Sequence, residues 1–311
     1  MDRTCDWADS DTPGDGVSHT VRFYDEDDGR RGNILGGMSS PKEAVVGVFS
    51  RAAATYNSVG PRHFTYFARR LVEYVDVRPG DRVLDVATGT GEVLLAAAER
   101  SGENGQVVGI DLTAAMLERA AAAIRDRHLS NAELRQMDAE QLDLPDESFD
   151  VALSAFALSS FPNRNRALKE CRRVLRPGGR LGLVDAFGWY FQHDSRWHWQ
   201  EDVLRSFGAL HDGNPADSQP TDLPTALTSV GFTAVQPTED AFDLVFRDEE
   251  EWWHWSWSHG TRRLFEAVPP TRLDELKQRL FLGLHGCRED DGMIHGTMRA
   301  TLMLAHKPQR R

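Results

Sequence analysis

Gly89 and Gly91 sit in the stretch Asp85-Val86-Ala87-Thr88-Gly89-Thr90-Gly91-Glu92, between an apolar run at 83–86 and a helix-forming run at 92–100. A buried strand that breaks at glycines and continues as a helix leaves backbone N–H groups and a helix N-terminus facing a ligand. The small residues Ala87, Gly89 and Gly91 let the main chain come close to that ligand. Three carboxylates accompany the turn: Asp85 inside the apolar run, Asp111 at the end of 106–111, and Asp138 in Met137-Asp138-Ala139-Glu140. Asp111 follows Gly91 by 20 residues, and an acid so placed can accept both hydroxyls of a ribose. It also suits a turn or a cap before Thr113. Asp85, if ionised within an apolar strand, needs partners, which the N–H groups of the turn or a ligand ammonium would supply. The dinucleotide fingerprint asks for a third glycine where this chain has Leu94, so a nicotinamide or flavin fits poorly.

Together with Phe149-Asp150-Val151-Ala152-Leu153-Ser154 and Leu175-Arg176-Pro177-Gly178-Gly179, these motifs resemble the class I S-adenosylmethionine-dependent methyltransferases over 49–185. The similarity is greatest to the ubiquinone/menaquinone-biosynthesis-like branch, where Ala-Thr-Gly-Thr-Gly is usual. The resemblance implies S-adenosylmethionine as methyl donor and S-adenosylhomocysteine as product. It implies donor-binding roles for Tyr56, Asp85, Ala87, Thr88, Gly89, Gly91, Asp111, Leu112, Met116, Asp138, Ala139 and Ser154. Within that set Asp111 would take the ribose and Asp138-Ala139 the adenine, while Tyr56 would cover the cofactor or simply pack.

The elements that must hold these residues follow from periodicity. Strand and helix patterns alternate at short spacing from 81 onward, which implies a parallel sheet with right-handed crossovers. Ligands in such sheets lie beyond the carboxyl ends of the strands, a rule that gathers Ala87, Asp111, Asp138 and Ser154 around one crevice. The family fold implied is α/β: a Rossmann-like, seven-stranded, mostly parallel sheet with helices on both faces, an antiparallel last strand, and helical caps from the N- and C-terminal parts. Ser40-Pro41-Lys42-Glu43 is a capping box with proline at the first helical position. It predicts a helix whose apolar stripe is Val45, Val48, Phe49, Ala52, Ala53 and Tyr56, followed by a second helix over 62–74.

The expected organisation is a leader at 1–38, a helical cap at 39–80, and a core at 81–247 plus 292–311. Aromatic-rich insertions at 188–220 and 248–291 complete it. The leader is rich in Asp, Gly and Ser, which predicts either a flexible segment or an arm anchored on a partner copy by Val21, Phe23 and Tyr24, making a homo-oligomer. The insertions carry Trp189, Tyr190, Phe191, His193, Trp197, Trp199 and His211, then Glu251-Trp252-Trp253-His254-Trp255-Ser256-Trp257-Ser258-His259-Gly260. On a helix Trp252, Trp255 and His259 share one face, with Trp253 and Trp257 on the next. An aromatic stripe serves as core or as an acceptor cap, and the expectation here is a cap formed by Phe156, Trp189, Trp252 and Trp255. Candidates for a general base are His193, His254, His259 and Glu251, with His259 and His193 placed first. Related enzymes often carry a histidine pair where this chain has Ser159 and Ser160.

The chain has 311 residues, 40% of them hydrophobic, and a net charge of −12 without a long basic block. That balance argues against a nucleic-acid substrate. Neither a membrane-spanning run nor the apolar core of a signal peptide is expected. Cys5, Cys171 and Cys287 are scattered and lack zinc-site spacing, as expected of a reduced cytoplasmic protein. The resulting expectation is a methyltransferase for a small hydrophobic or aromatic acceptor in specialised metabolism, by C- or O-methylation, with alkene C-methylation and cation-driven cyclisation as a variant. The alternatives are a quinone-pathway C-methyltransferase and a cofactor-bound cyclase that transfers no methyl group.

Overall fold

A computed structural model describes residues 21–22, 40–186, 195–210 and 222–310. Its strands are β1 (Val21–Arg22), β2 (Arg82–Val86), β3 (Gln106–Asp111), β4 (Ala132–Gln136), β5 (Phe149–Ala155), β6 (Leu175–Asp185), β7 (Thr233–Phe246) and β8 (Ile294–His306). They form one sheet in the order β1-β4-β3-β2-β5-β6-β8-β7. All pairings are parallel except those of β8, which runs antiparallel to both β6 and β7. The seven expected strands are therefore present, and Val21–Arg22 adds a two-residue edge strand beside β4. Phe23 and Tyr24 lie outside the described residues.

The strand order reverses at β2, whose neighbours are β3 on one side and β5 on the other. This is the switch point at which open α/β sheets leave a crevice. Helices α1 (Pro41–Ala52) and α2 (His63–Tyr74) precede the core, and α3 (Glu92–Ser101), α4 (Ala114–Asp126) and α5 (Arg164–Val174) are its crossovers. Alternate residues of each buried strand feed opposite layers: Val83 and Val107 join a core with α2, α3 and α4, whereas Leu84 and Val108 join one with α5. Later come α6 (Trp199–Ser206), α7 (Leu223–Ser229), α8 (Glu249–Trp257), α9 (Arg262–Glu266) and α10 (Leu273–Leu284). Among the described residues no helix is long and apolar enough to cross a membrane.

The N-terminal capping box forms as expected: Ser40 Oγ accepts from the Glu43 N–H at 3.2 Å, and the Glu43 carboxylate accepts from the Ser40 N–H at 2.6 Å. The helix ends sooner than its apolar stripe suggests. It stops at Ala52, and Tyr56 lies on the turn that follows, just before Asn57 at φ 49°. Leu94 also receives a physical explanation. A Cβ on Gly109 of β3 would stand 2.4 Å from Leu94 Cδ1, so the glycine that lets helix and sheet approach is on the neighbouring strand.

Candidate functional site

The carboxyl ends of β2, β3, β4 and β5 border a cleft. Following the strand order, Asp138 and Ala139 come from the loop after β4, and Asp111 and Leu112 from the end of β3. Ala87 and Gly89 come from the turn after β2, and Phe156 and Ala157 from the loop after β5. Met116 of α4 contributes to one wall, and Val45 and Phe49 of α1 cover the cleft together with Tyr56. Tyr56 stacks on Phe64 at a centroid distance of 4.9 Å, and Phe64 meets Phe156 edge-on at 5.3 Å. Two non-glycine residues on this rim have positive φ, Ala87 at 58° and Phe156 at 54°. Such conformations persist where the surrounding fold enforces them, commonly at functional sites.

The carboxylates differ in environment. Asp111 accepts from the Gly89 N–H at 2.9 Å and the Thr113 N–H at 2.8 Å, so it braces the glycine turn and caps the segment before α4. Burial raises its pKa above the usual carboxylate value, opposed by those N–H groups. Asp85 lies beneath the turn, 1% exposed, with Thr88 Oγ1 donating to it at 2.6 Å. Burial, with Asp111 nearby, pushes it up to about 7 against the Thr88 and Leu94 hydrogen bonds. Asp138 holds the Glu140 N–H on one oxygen and Lys42 Nζ on the other, at 2.9 and 2.6 Å. Lys42 also reaches Glu140 at 2.7 Å, and Glu140 accepts from the Asn163 N–H at 2.7 Å. Burial works against the Lys42 charge, but these two carboxylates outweigh it and raise its pKa.

Eight of the expected donor-binding residues therefore line the cleft: Tyr56, Ala87, Gly89, Asp111, Leu112, Met116, Asp138 and Ala139. The other four stand one layer behind. Asp85 and Thr88 bond to each other, Ser154 Oγ donates to the Val86 carbonyl at 2.9 Å, and Gly91 precedes α3, where a Cβ would stand 3.3 Å from that of Ala120. Lys42, Glu140 and Phe161 also line the cleft. The capping box had located Lys42 on a helix, but nothing local signalled its carboxylate partners.

The tryptophan-rich helix behaves otherwise: Trp252 and Trp255, expected in the acceptor cap, and His259, expected as a general base, do not line that cleft. Trp252 and Trp255 are buried, and Trp255 contacts Phe246 of β7 and His259 at centroid distances of 5.2 and 4.3 Å. His259 is buried beside His63, and its Nδ1 accepts from the Thr261 N–H at 3.4 Å. Burial, and then His63, hold its pKa well below the usual histidine value. Its ring meets Phe64 edge-on at a centroid distance of 6.1 Å, and Phe64 in turn meets Phe156 of the cleft. Glu251 pairs with Arg247 at 3.2 Å, and His254 is exposed. Trp189, Tyr190, Phe191, His193 and His211 lie outside the described residues. Ser160 does line the cleft.

Comparison with known proteins gives a consistent picture. A family model described as a methyltransferase domain matches residues 83–179. Nocamycin O-methyltransferase of Saccharothrix syringae is 33% identical over 243 residues, covering 72% of this chain and 85% of that protein. A ubiquinone/menaquinone biosynthesis C-methyltransferase of Teredinibacter turnerae is 39% identical over 149 residues, covering 46% of this chain and 59% of that one. Among solved structures, a putative methyltransferase from Bacillus halodurans is 26% identical with a TM-score of 0.52, over 78% of this chain and 99% of that one. With that sheet, that glycine turn and these relatives, the chain belongs to the class I S-adenosylmethionine-dependent methyltransferases.

Proposed function

We propose that the protein transfers a methyl group from S-adenosylmethionine to an oxygen of a flat, apolar small molecule of specialised metabolism. One observation carries this reading. The cleft joins carboxylates at Asp111 and Asp138 to aromatic rings at Phe49, Tyr56, Phe156 and Phe161, with Ala87 and Gly89 between them along the strand order.

The residues suit the donor. Asp111 lines the cleft, and the N–H groups of Gly89 and Thr113 hold its carboxylate where it would accept from the ribose hydroxyls. Asp138 would accept from the adenine amino group, and Leu112, Met116 and Ala139 would enclose the base. A Cβ at Gly89 would meet nothing within 4 Å, so the turn offers its main chain to the ligand. When bound, the donor supplies an electrophilic methyl group on a positively charged sulfur. The protein's part is to orient the acceptor in line and exclude water, and aromatic faces suit both a flat acceptor and a nearby cation.

The match to the O-methyltransferase extends over 72% of the chain, beyond the shared core, and favours O-methylation. Carbon methylation is the second reading, supported by the higher identity to the quinone-pathway enzyme within that core. The test is incubation with a donor carrying a 13C methyl group and a panel of enolic and phenolic polycycles. The expected product is one methyl group heavier and shows a methoxy carbon; a carbon-bound methyl would select the second reading. Phe156→Ala should raise the acceptor KM about tenfold, near 1.4 kcal/mol, with donor affinity changed less than twofold. An isomeric product, or no methylated product from any acceptor at saturating donor, overturns the proposal.

A further inference from the structure

Phe156, which lines the cleft just beyond the carboxyl end of β5, has a left-handed backbone at φ 54°. For a large side chain that conformation is a steric outlier, and it persists only where the surroundings enforce it. Its N–H donates to the Val184 carbonyl at 2.8 Å, which ties the residue to β6. Three rings of α2 then meet its side chain edge-on: Phe64, Phe67 and His63, at centroid distances of 5.3, 5.6 and 6.2 Å. Phe64 and Phe67 are buried and lie three positions apart, on one face of the helix. The ring of Phe156 is thus fixed by a packed helix rather than by the loop that carries it.

Phe64 has a second contact of the same kind. It stacks on Tyr56 with an interplanar angle of 15°, while its angle to Phe156 is 75°. Tyr56 and Phe156 both line the cleft, so one buried ring of α2 sets their planes steeply to each other and makes an aromatic corner. A corner offers a flat molecule a face on one ring and an edge against the other, the two arrangements that aromatic pairs prefer. A puckered ring system cannot follow both walls. Resting on the small-molecule methyltransferase reading above, we propose that Phe156 determines acceptor specificity and that Phe64 positions it, the corner admitting conjugated ring systems and disfavouring saturated ones of the same size. A relaxed backbone at 156 would swing the ring out of the corner, which gives the strain there a functional reason.

4-Hydroxycoumarin and its 5,6,7,8-tetrahydro derivative separate the two cases, because they share one enol-lactone head and differ in whether the second ring is flat. Calorimetry on the protein loaded with S-adenosylhomocysteine should show the aromatic probe binding about tenfold more tightly than the saturated one. Phe156→Leu keeps apolar bulk without a ring and should reduce that ratio to less than about twofold, whereas Phe156→Tyr keeps the ring and should retain it. Phe64→Leu should lower the ratio as well, although Phe64 does not line the cleft. In each variant an affinity for S-adenosylhomocysteine within about twofold of wild type reports an intact fold, and if Phe64→Leu does not fold, the two Phe156 variants decide. A role in packing alone would weaken both probes alike and leave the ratio unchanged, which overturns the proposal. So does a wild type that binds both probes equally or binds neither. Absence of any methylated product from the acceptor panel is the separate failure of the transferase reading itself.

Discussion

The glycine-turn cleft and the tryptophan-rich helix were both conspicuous by residue type and spacing, yet the structure uses them in opposite ways. The cleft residues come from the carboxyl ends of adjacent parallel strands, where topology alone decides that a ligand can reach them. The tryptophans come from a helical period, which says that Trp252 and Trp255 face together but not what they face. Opposite them lie the inner residues of the long β7–β8 pair, Leu244, Phe246, Ile294 and Met298, all buried with Trp252, Trp255 and Phe265 in one core. The apolar side of that strand pair needed a cover, and burial at about 25 cal/mol per Å² favours tryptophan there. Strand order thus locates chemistry, while an aromatic helical stripe locates whichever sheet face is still uncovered.

Three variants would break or sharpen this contrast. Gly89→Val places a branched side chain at φ 55° in space open towards the cleft. It should weaken S-adenosylhomocysteine a hundredfold or more, about 2.7 kcal/mol, while backbone strain costs the fold only about 1–2 kcal/mol. Unchanged affinity by calorimetry would show that the turn does not touch the donor. Trp255→Ala should do the reverse. A deleted core tryptophan costs about 3–5 kcal/mol, seen as a fall of roughly 10 °C in melting temperature, with donor affinity and acceptor kinetics of the folded protein within about twofold of wild type. A folded, equally stable variant with impaired acceptor KM would restore the cap reading.

The smallest expected effect concerns pH. Burial lowers His63 to about 3 against its bond to the Pro61 carbonyl, and His259 also lies well below the ordinary value. Both folded values lie under the unfolded one of about 6.5. Their stabilising contribution is therefore complete above that pH and is lost as pH falls towards 3, where the unfolded chain takes up protons that the folded one refuses. Asp85 and Asp185, each pushed up to about 7 by burial, act in the opposite sense and lose their contribution as pH rises through 7. Melting curves from pH 7 to 4 should accordingly fall less steeply for His63→Gln than for wild type. Equal slopes would mean that the buried imidazole accepts its proton freely.

Much of the cleft wall was legible because each of its parts is local: an apolar run, a small-residue turn, an acid at a strand end. Asp111 could be placed from the repeating strand–helix pattern alone, and its second role as the brace of Gly89 is compatible with ribose binding. Residues that reach the cleft from elsewhere in the chain were harder to read. Lys42 meets Asp138 across 96 positions, and no local pattern encodes that distance. Tyr56 was picked out as the end of an apolar stripe, but it lies on a turn because α1 stops at Ala52. The hydrogen bonds from Asn57 Nδ2 to Thr65 Oγ1 and from Thr65 Oγ1 to Glu92 left no trace in periodicity either, since three unlike residues on three elements share only their meeting point.

The central claim is that the donor occupies the cleft at the switch point and that the tryptophan-rich region serves as core. A crystal structure with S-adenosylhomocysteine tests it most directly. The account predicts one ligand per chain, with its ribose hydroxyls on the Asp111 carboxylate, its adenine beside Asp138 and Ala139, and Tyr56 over it. A ligand lodged against Trp252 and Trp255, or one in the cleft with Asp111 turned away from the ribose, would contradict it.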